Sequence, residues 1–334
     1  MNIIIPMAGR GTRMRPHTIT TPKPLIPIAG KPMVHRIVED IASTIDQKIE
    51  EIAFIVGRFG EEAEKELLDI ASSFGAKGKI YYQDSPLGTA HALLCAKDSL
   101  DGPVFIAFAD TLFKASFTLD MSKDSIIWTH KVANPEAFGV VRLDDDGKII
   151  EFVEKPQEFV SDLAIIGVYY FKDGANLRDE MQFLIDNNIM KKGEYQLTDA
   201  METMRAKGLG YYPGEVEEWL DCGNKDNTLY TMERMLVNKA SSEDLLGKNV
   251  VQENSTIIQP CFIGDGVEIK NSVVGPHVSV EAGAKIENAI VSKSIIGRES
   301  LVKNCIITNS LLGNNVDCQA QAEQLSLGDY SFKK

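Results

Sequence analysis

After Gly247, aliphatic residues return at intervals near six: Ile257, Ile263, Ile269, Val274, Val280, Ile286, Val291 and Ile296, then Ile306 or Ile307 and Leu312. Small or polar turn residues follow several of them, as in Ile263-Gly264, Val274-Gly275, Ile296-Gly297 and Leu312-Gly313. A coil with three short faces, each pointing one aliphatic inward, produces this spacing when it stacks on copies of itself. The spacing predicts a short left-handed β-helix of roughly three to four coils, over residues 251–330. A small β-sandwich would instead need alternation of period two sustained over longer runs.

The first two thirds read differently. Ile3-Ile4-Ile5 is a buried first strand, and Val34 to Ser43 carries apolar residues at helical spacing. Glu51 to Val56 reads as a strand, Glu61 to Ser72 as an amphipathic helix and Lys79 to Tyr82 as a strand. Gly88 to Ala96 reads as a helix and Pro103 to Ala109 as a wholly apolar strand. Such alternation implies an α/β, Rossmann-like, mostly parallel sheet with helices on both faces. Ligands of such sheets bind at the carboxyl ends of the strands, where the Gly9 loop and Asp110 fall. From Asp124 to Tyr170 strands dominate, with Asp146-Gly147 as a hairpin turn. Asp144-Asp145-Asp146-Gly147 lacks the every-other spacing of a calcium loop and reads as a solvated turn. The expected domains are 1–235, a linker at 236–250 and the β-helix at 251–330. Met232 to Lys239 is the connecting helix, and Phe332-Lys333-Lys334 ends a loose tail.

With 334 residues the chain is long enough for two domains. Its net charge of −13 argues against a general nucleic-acid surface. No window is long and apolar enough to span a membrane, and no signal peptide is evident. The cysteines Cys95, Cys222, Cys261, Cys305 and Cys318 make neither a zinc pattern nor a disulfide framework. They read as reduced thiols of a cytoplasmic protein. The five histidines, His17, His35, His91, His130 and His277, have no metal spacing and are expected to be structural or solvent-facing.

Against that acidic background, Met1 to Val38 holds six Lys or Arg and no Asp or Glu. Within it lies Pro6-Met7-Ala8-Gly9-Arg10-Gly11-Thr12-Arg13-Met14-Arg15-Pro16, followed by Thr21-Pro22-Lys23-Pro24-Leu25. The glycines permit a tight turn and close approach of backbone N–H groups to a ligand. Arg13, Arg15 and Lys23 bring positive charge to the same place, which points to a polyanion such as a nucleoside triphosphate. The lysine and glycine spacing of a P-loop is absent, and the third glycine of a dinucleotide loop is missing.

These motifs resemble the signature of the sugar-1-phosphate nucleotidylyltransferases. The resemblance rests on Gly9 to Pro16, Pro22 to Pro27 and Lys31 to Met33, and it continues to about Gly223. It is closest to the glucose-1-phosphate thymidylyl- and uridylyltransferases. It implies attack of a sugar-1-phosphate oxygen on the α-phosphorus of a nucleoside triphosphate, with Mg²⁺ as cofactor. Arg13, Lys23 and Asp110 are implied to be catalytic. Ala8, Gly9, Gly11, Thr12, Arg13, Gln83 and Gly88 would bind the nucleotide, Gln83 through its donor and acceptor. Gly139, Glu154, Lys155 and Gly167 would bind the sugar phosphate, and Thr198-Asp199 resembles a segment closing the sugar pocket. Asp110, at the end of an apolar strand, and Asp221, in Trp219-Leu220-Asp221-Cys222-Gly223, would hold the metal.

On residue chemistry alone, Asp110 could be a helix cap, Gly88-Thr89 a helix start and Glu154-Lys155 a solvated pair. The expected partners are the two substrates, with no nucleic acid and no membrane, and a homo-oligomer through or beside the β-helix. The expected base is thymine or uracil and the expected sugar glucose. A mannose-1-phosphate guanylyltransferase and a non-catalytic regulatory subunit of the same architecture are the alternatives. An acyltransferase in the repeats is disfavoured, because the region is short and holds one histidine, His277.

Overall fold

The computed structural model describes residues 1–114 and 117–321. The expected tail and residues 322–330 of the expected β-helix lie outside the described residues. Among the described residues no helix is long and apolar enough to cross a membrane.

The chain forms two compact units. The first holds Met1–Ile26 and Pro32–Asn224. Its centre is a nine-stranded mixed sheet. Lys77–Tyr82, Glu51–Val56, Asn2–Pro6 and Val104–Ala107 lie side by side in that order and are parallel. Beyond them the sheet turns antiparallel. Leu163–Phe171 pairs with Val104–Ala107 and also with Ser125–Lys131. The hairpin Gly139–Leu143 and Ile149–Glu154 joins at Ala164.

Ile3, Ile4 and Ile5 are all fully buried. Successive strand residues point to opposite faces, so both faces of the sheet are covered. On one face, Ile4, Ala53, Ile55 and Ile106 share a core with the helices Thr89–Cys95, Gly174–Asp186 and Leu197–Ala206. Each of these isoleucines contributes about 1.5–3 kcal/mol. The hairpin turn closes through Asp144 Oδ1, which accepts from the N–H groups of Asp146 at 3.0 Å and Lys148 at 2.8 Å. Gly147 supplies the positive φ of 78° that this turn requires.

The second unit holds Pro27–Lys31 and the described residues from Lys225 onward. Three parallel sheets of five, four and four short strands form the three faces of a β-helix. Ile269, Ile286, Val302 and Cys318 stack in register, as do Ile257, Val274, Val291 and Ile307. Ile307 is the inward residue of the pair left open by the spacing, since Ile306 is 81% exposed. Corners are turned by Asn254, Asn271, Asn288 and Asn304, all with positive φ. Asparagine tolerates this conformation better than other side chains.

The helix Lys225–Lys239 starts before the expected Met232 and belongs to this unit. Its Glu233 reaches His277 Nδ1 at 3.2 Å and Lys293 Nζ at 3.8 Å. By contacts the two compact units divide after Asn224.

Candidate active site

The four parallel strands end at Pro6, Val56, Tyr82 and Ala107. The loops that follow three of them border a cleft of about 410 Å³. Its lining includes Ala8, Gly9, Gly11, Thr12, Arg13, Lys23, Gln83, Gly88 and Asp110. Nine residues picked from the sequence as nucleotide-binding or catalytic thus share one concavity. Asp221, Gly139, Glu154, Lys155 and Gly167 do not line it.

The glycine loop leaves the first strand with Met7 N–H donating to Ile55 O at 2.8 Å. Gly11 is left-handed, with φ of 56°. A Cβ there would stand 3.0 Å from Thr18 Cγ2 and 3.2 Å from Lys23 Cβ. Only glycine lets the loop fold back against Lys23. Thr18 Oγ1 fixes the turn by donating to Gly11 O at 2.8 Å.

Lys23 opens a short 3-10 turn between Pro22 and Pro24. Its Nζ lies 2.9 Å from Asp110 Oδ2, with side chains 11% and 39% exposed. Asp110 follows the buried Val104–Ala107 strand, and its carbonyl accepts from Cys222 N–H at 2.9 Å. The next residue, Thr111, pairs with Asp221 in a two-stranded antiparallel ribbon of Thr111–Lys114 and Glu218–Asp221. Asp221 Oδ1 accepts from Gly223 N–H at 2.9 Å. A Cβ at Gly223 would come within 2.9 Å of the other carboxylate oxygen, so the Asp-x-Gly spacing has a steric reason.

Mg²⁺ takes oxygen donors and commonly uses one or two carboxylates plus substrate phosphates. Among the described residues no three His, Cys, Asp or Glu converge as a ligand set. Two carboxylate residues brought together beside a cleft lined by Arg13 and Lys23 fit a cation shared with a polyphosphate.

Gln83 Nε2 contacts Gly88 O at 3.4 Å and His91 Nδ1 at 3.2 Å. Burial holds the His91 pKa below its ordinary value, which favours a neutral, accepting imidazole. His91 is therefore a partner of Gln83, a role that its isolated place in the sequence does not signal. Gly88 lines the cleft and also has a steric reason within the chain to be glycine. Its φ is 112°, and a Cβ would meet Tyr195 O at 2.4 Å. The backbone that comes close is the chain's own: Ala90 N–H donates to Tyr195 O, and Tyr195 N–H to Leu87 O. That pairing accompanies Glu194 to the cleft wall, where its carboxylate accepts from Gln196 Nε2 at 2.8 Å. Lys192 and Gly193, both at positive φ, turn the chain just before Glu194.

The expected sugar-phosphate residues sit in the antiparallel half. Gly139 faces Glu154 across the hairpin, and a Cβ on it would lie 2.9 Å from Glu154 Oε2. Lys155 adopts φ of 45°, uncommon for a lysine, with Nζ 3.7 Å from Glu154 Oε1. Gly167 has φ of 84° and lies where the pairing of Leu163–Phe171 with Ser125–Lys131 shifts register. Its carbonyl accepts from Phe108 N–H at 3.0 Å, and Phe108 lines the cleft. Burial first, and Glu154 second, push the Tyr169 hydroxyl pKa up. Thr198 Oγ1 and Asp199 Oδ2 are buried without a hydrogen-bond partner, while Asp199 Oδ1 pairs with Lys191.

The Nucleotidyl transferase family model matches residues 2–237, and the GlmU-like, C-terminal hexapeptide model matches residues 239–323. A glucose-1-phosphate thymidylyltransferase of Streptomyces antibioticus is 31% identical, over 99% of this chain and 98% of that protein. One of Streptomyces griseus is 29% identical over the same shares of the two chains. The crystal structure of a UDP-glucose pyrophosphorylase complexed with UDP-glucose superposes with a TM-score of 0.58 at 25% identity. It covers 71% of this chain and 98% of its own.

Proposed function

The chain belongs to the nucleotidyl transferase family and is a sugar-1-phosphate nucleotidyltransferase, and from that premise we propose that it transfers a thymidylyl or uridylyl group to glucose 1-phosphate. In this reading an oxygen of the sugar phosphate attacks the α-phosphorus. The new oxygen–phosphorus bond forms as the bond to the bridging oxygen breaks, and pyrophosphate leaves with the electron pair.

Two polyanions must meet in line, so the protein's work is charge neutralisation and orientation. Arg13 and Lys23 bind the triphosphate and neutralise the leaving pyrophosphate. Ala8, Gly9 and Gln83 face the base, with His91 holding the Gln83 amide. Glu154 binds sugar hydroxyls, Lys155 the sugar phosphate, and Gly139 and Gly167 leave room for them. Mg²⁺, held by Asp110 and Asp221, supplies Lewis-acid polarisation of phosphate oxygens when bound.

The observation that carries the reading is the gathering of the glycine loop, Arg13, Lys23, Gln83 and Asp110 around one cleft. The choice of base and sugar is supported by the similarity to the Streptomyces glucose-1-phosphate thymidylyltransferases and to the UDP-glucose-bound pyrophosphorylase. The test is a pyrophosphate-release matrix of dTTP, UTP, GTP, ATP and CTP against glucose-, mannose-, galactose- and N-acetylglucosamine-1-phosphate, with and without Mg²⁺. Dominant, Mg²⁺-dependent release from dTTP or UTP with glucose 1-phosphate is expected. Dominance of another pair would overturn the substrate assignment, and folded protein that releases nothing would overturn the reaction.

A further inference from the structure

Lys23 and Asp110 form an ion pair at 2.9 Å. The lysine side chain is 11% exposed. Pro22 and Pro24 flank it in a 3-10 turn, and its Cβ is packed beside Gly11. An ammonium buried to this degree needs an anion beside it, because the loss of water is otherwise uncompensated. Asp110 is that anion. It is also the carboxylate that the proposed function gives to Mg²⁺. An ammonium and a divalent cation drawn to one carboxylate repel each other, so each weakens the hold of the other.

We propose that Lys23 and the divalent cation compete for the Asp110 carboxylate, and that a bound triphosphate relieves the competition by giving Lys23 a replacement anion. The inference rests on assigning the cleft to a triphosphate and a metal. Metal entering alone meets the Lys23 ammonium at 2.9 Å from the same carboxylate and weakens its ion pair. Triphosphate entering alone draws Lys23 away and leaves Asp110 without its cation. Only the two together satisfy every charge. Metal and nucleotide therefore load cooperatively, and the coupling runs through one side chain already in contact with the metal carboxylate. Gly11 supports this geometry, since a Cβ there would press on Lys23 Cβ at 3.2 Å.

The test needs no turnover. Mn²⁺ alone is titrated by electron paramagnetic resonance into wild type, Lys23→Met, Asp110→Asn and the double variant. Methionine keeps an unbranched stem in the buried slot and removes the charge. Lys23→Met should bind Mn²⁺ roughly tenfold more tightly than wild type, and Asp110→Asn in the same chain should erase the gain. Inorganic tripolyphosphate, titrated without metal, should bind Lys23→Met more weakly than wild type.

Mn²⁺ affinity unchanged or reduced in Lys23→Met, with an undiminished melting temperature, would overturn the competition. So would a gain that survives in the double variant. The release matrix stands apart from this test. Wild type that transfers no nucleotide yet shows the Mn²⁺ pattern rejects the proposed reaction and keeps the competition. Active wild type without that pattern does the reverse.

Discussion

The backbone N–H of Cys222 donates to the carbonyl of Asp110 at 2.9 Å. This bond continues the ribbon in which Thr111 pairs with Asp221, and it brings together two carboxylate residues from distant parts of the domain's sequence. The pairing also carries Gly223 to the cleft wall.

Replacing either carboxylate by its amide should stop the reaction without unfolding the protein. Asp110→Asn keeps an oxygen toward Lys23, and Asp221→Asn keeps one for the Gly223 N–H. Each should lower kcat by about a hundredfold or more; Asp221→Asn should melt close to wild type, and Asp110→Asn somewhat lower because Lys23 loses its counter-ion. Pyrophosphate release at saturating substrate measures it. Wild-type turnover in either variant would remove that residue from the chemistry.

Gly88→Ala should behave as a folding variant. The added methyl meets Tyr195 O at 2.4 Å, and φ of 112° is strained for alanine. A loss of about 1–3 kcal/mol is expected, read by urea denaturation. Unchanged stability with a raised nucleotide KM would return Gly88 to a ligand-approach role.

Lys155 separates stability from binding. Its left-handed backbone costs a side-chain-bearing residue about 1 kcal/mol that glycine does not incur. Lys155→Gly should therefore melt no lower than wild type, while the sugar-phosphate KM rises about tenfold and the nucleotide KM stays put. An unmoved sugar-phosphate KM would reject the assignment.

His91 should leave a signature in acid. Burial depresses its folded pKa, so the unfolded chain takes up the proton first as pH falls. The stability from the neutral ring is present above the ordinary histidine pKa and is lost as pH falls toward the depressed folded value. Urea denaturation at pH 7.5 and 5.5 should show a smaller acid loss for His91→Phe than for wild type. Equal losses would mean that His91 is not the responsible group. The same variant should raise the nucleotide KM by releasing Gln83.

Much of the fold is legible in the residues. Glu51–Val56 and the hairpin around Asp146-Gly147 follow from local pattern, because pleat and turn chemistry act over a few positions. The β-helix is legible from its period, which sets one inward aliphatic per face. The switch from parallel to antiparallel pairing is not, since strand direction depends on which neighbour a strand meets. The helix Lys225–Lys239 belongs with the repeats for a similar reason: its partners His277 and Lys293 lie far along the chain.

At the cleft the division is sharper. The kinds of group available are legible residue by residue: a glycine loop, Arg13, Lys23, and carboxylates at strand ends. Those depend on residue identity and short spacing. That Lys23 pairs with Asp110, that His91 holds Gln83, and that Gly88 packs against Tyr195 came from the folded chain alone. Each of these is a contact between segments that share no local pattern, made at a few ångströms, where direction and distance rather than composition set the energy.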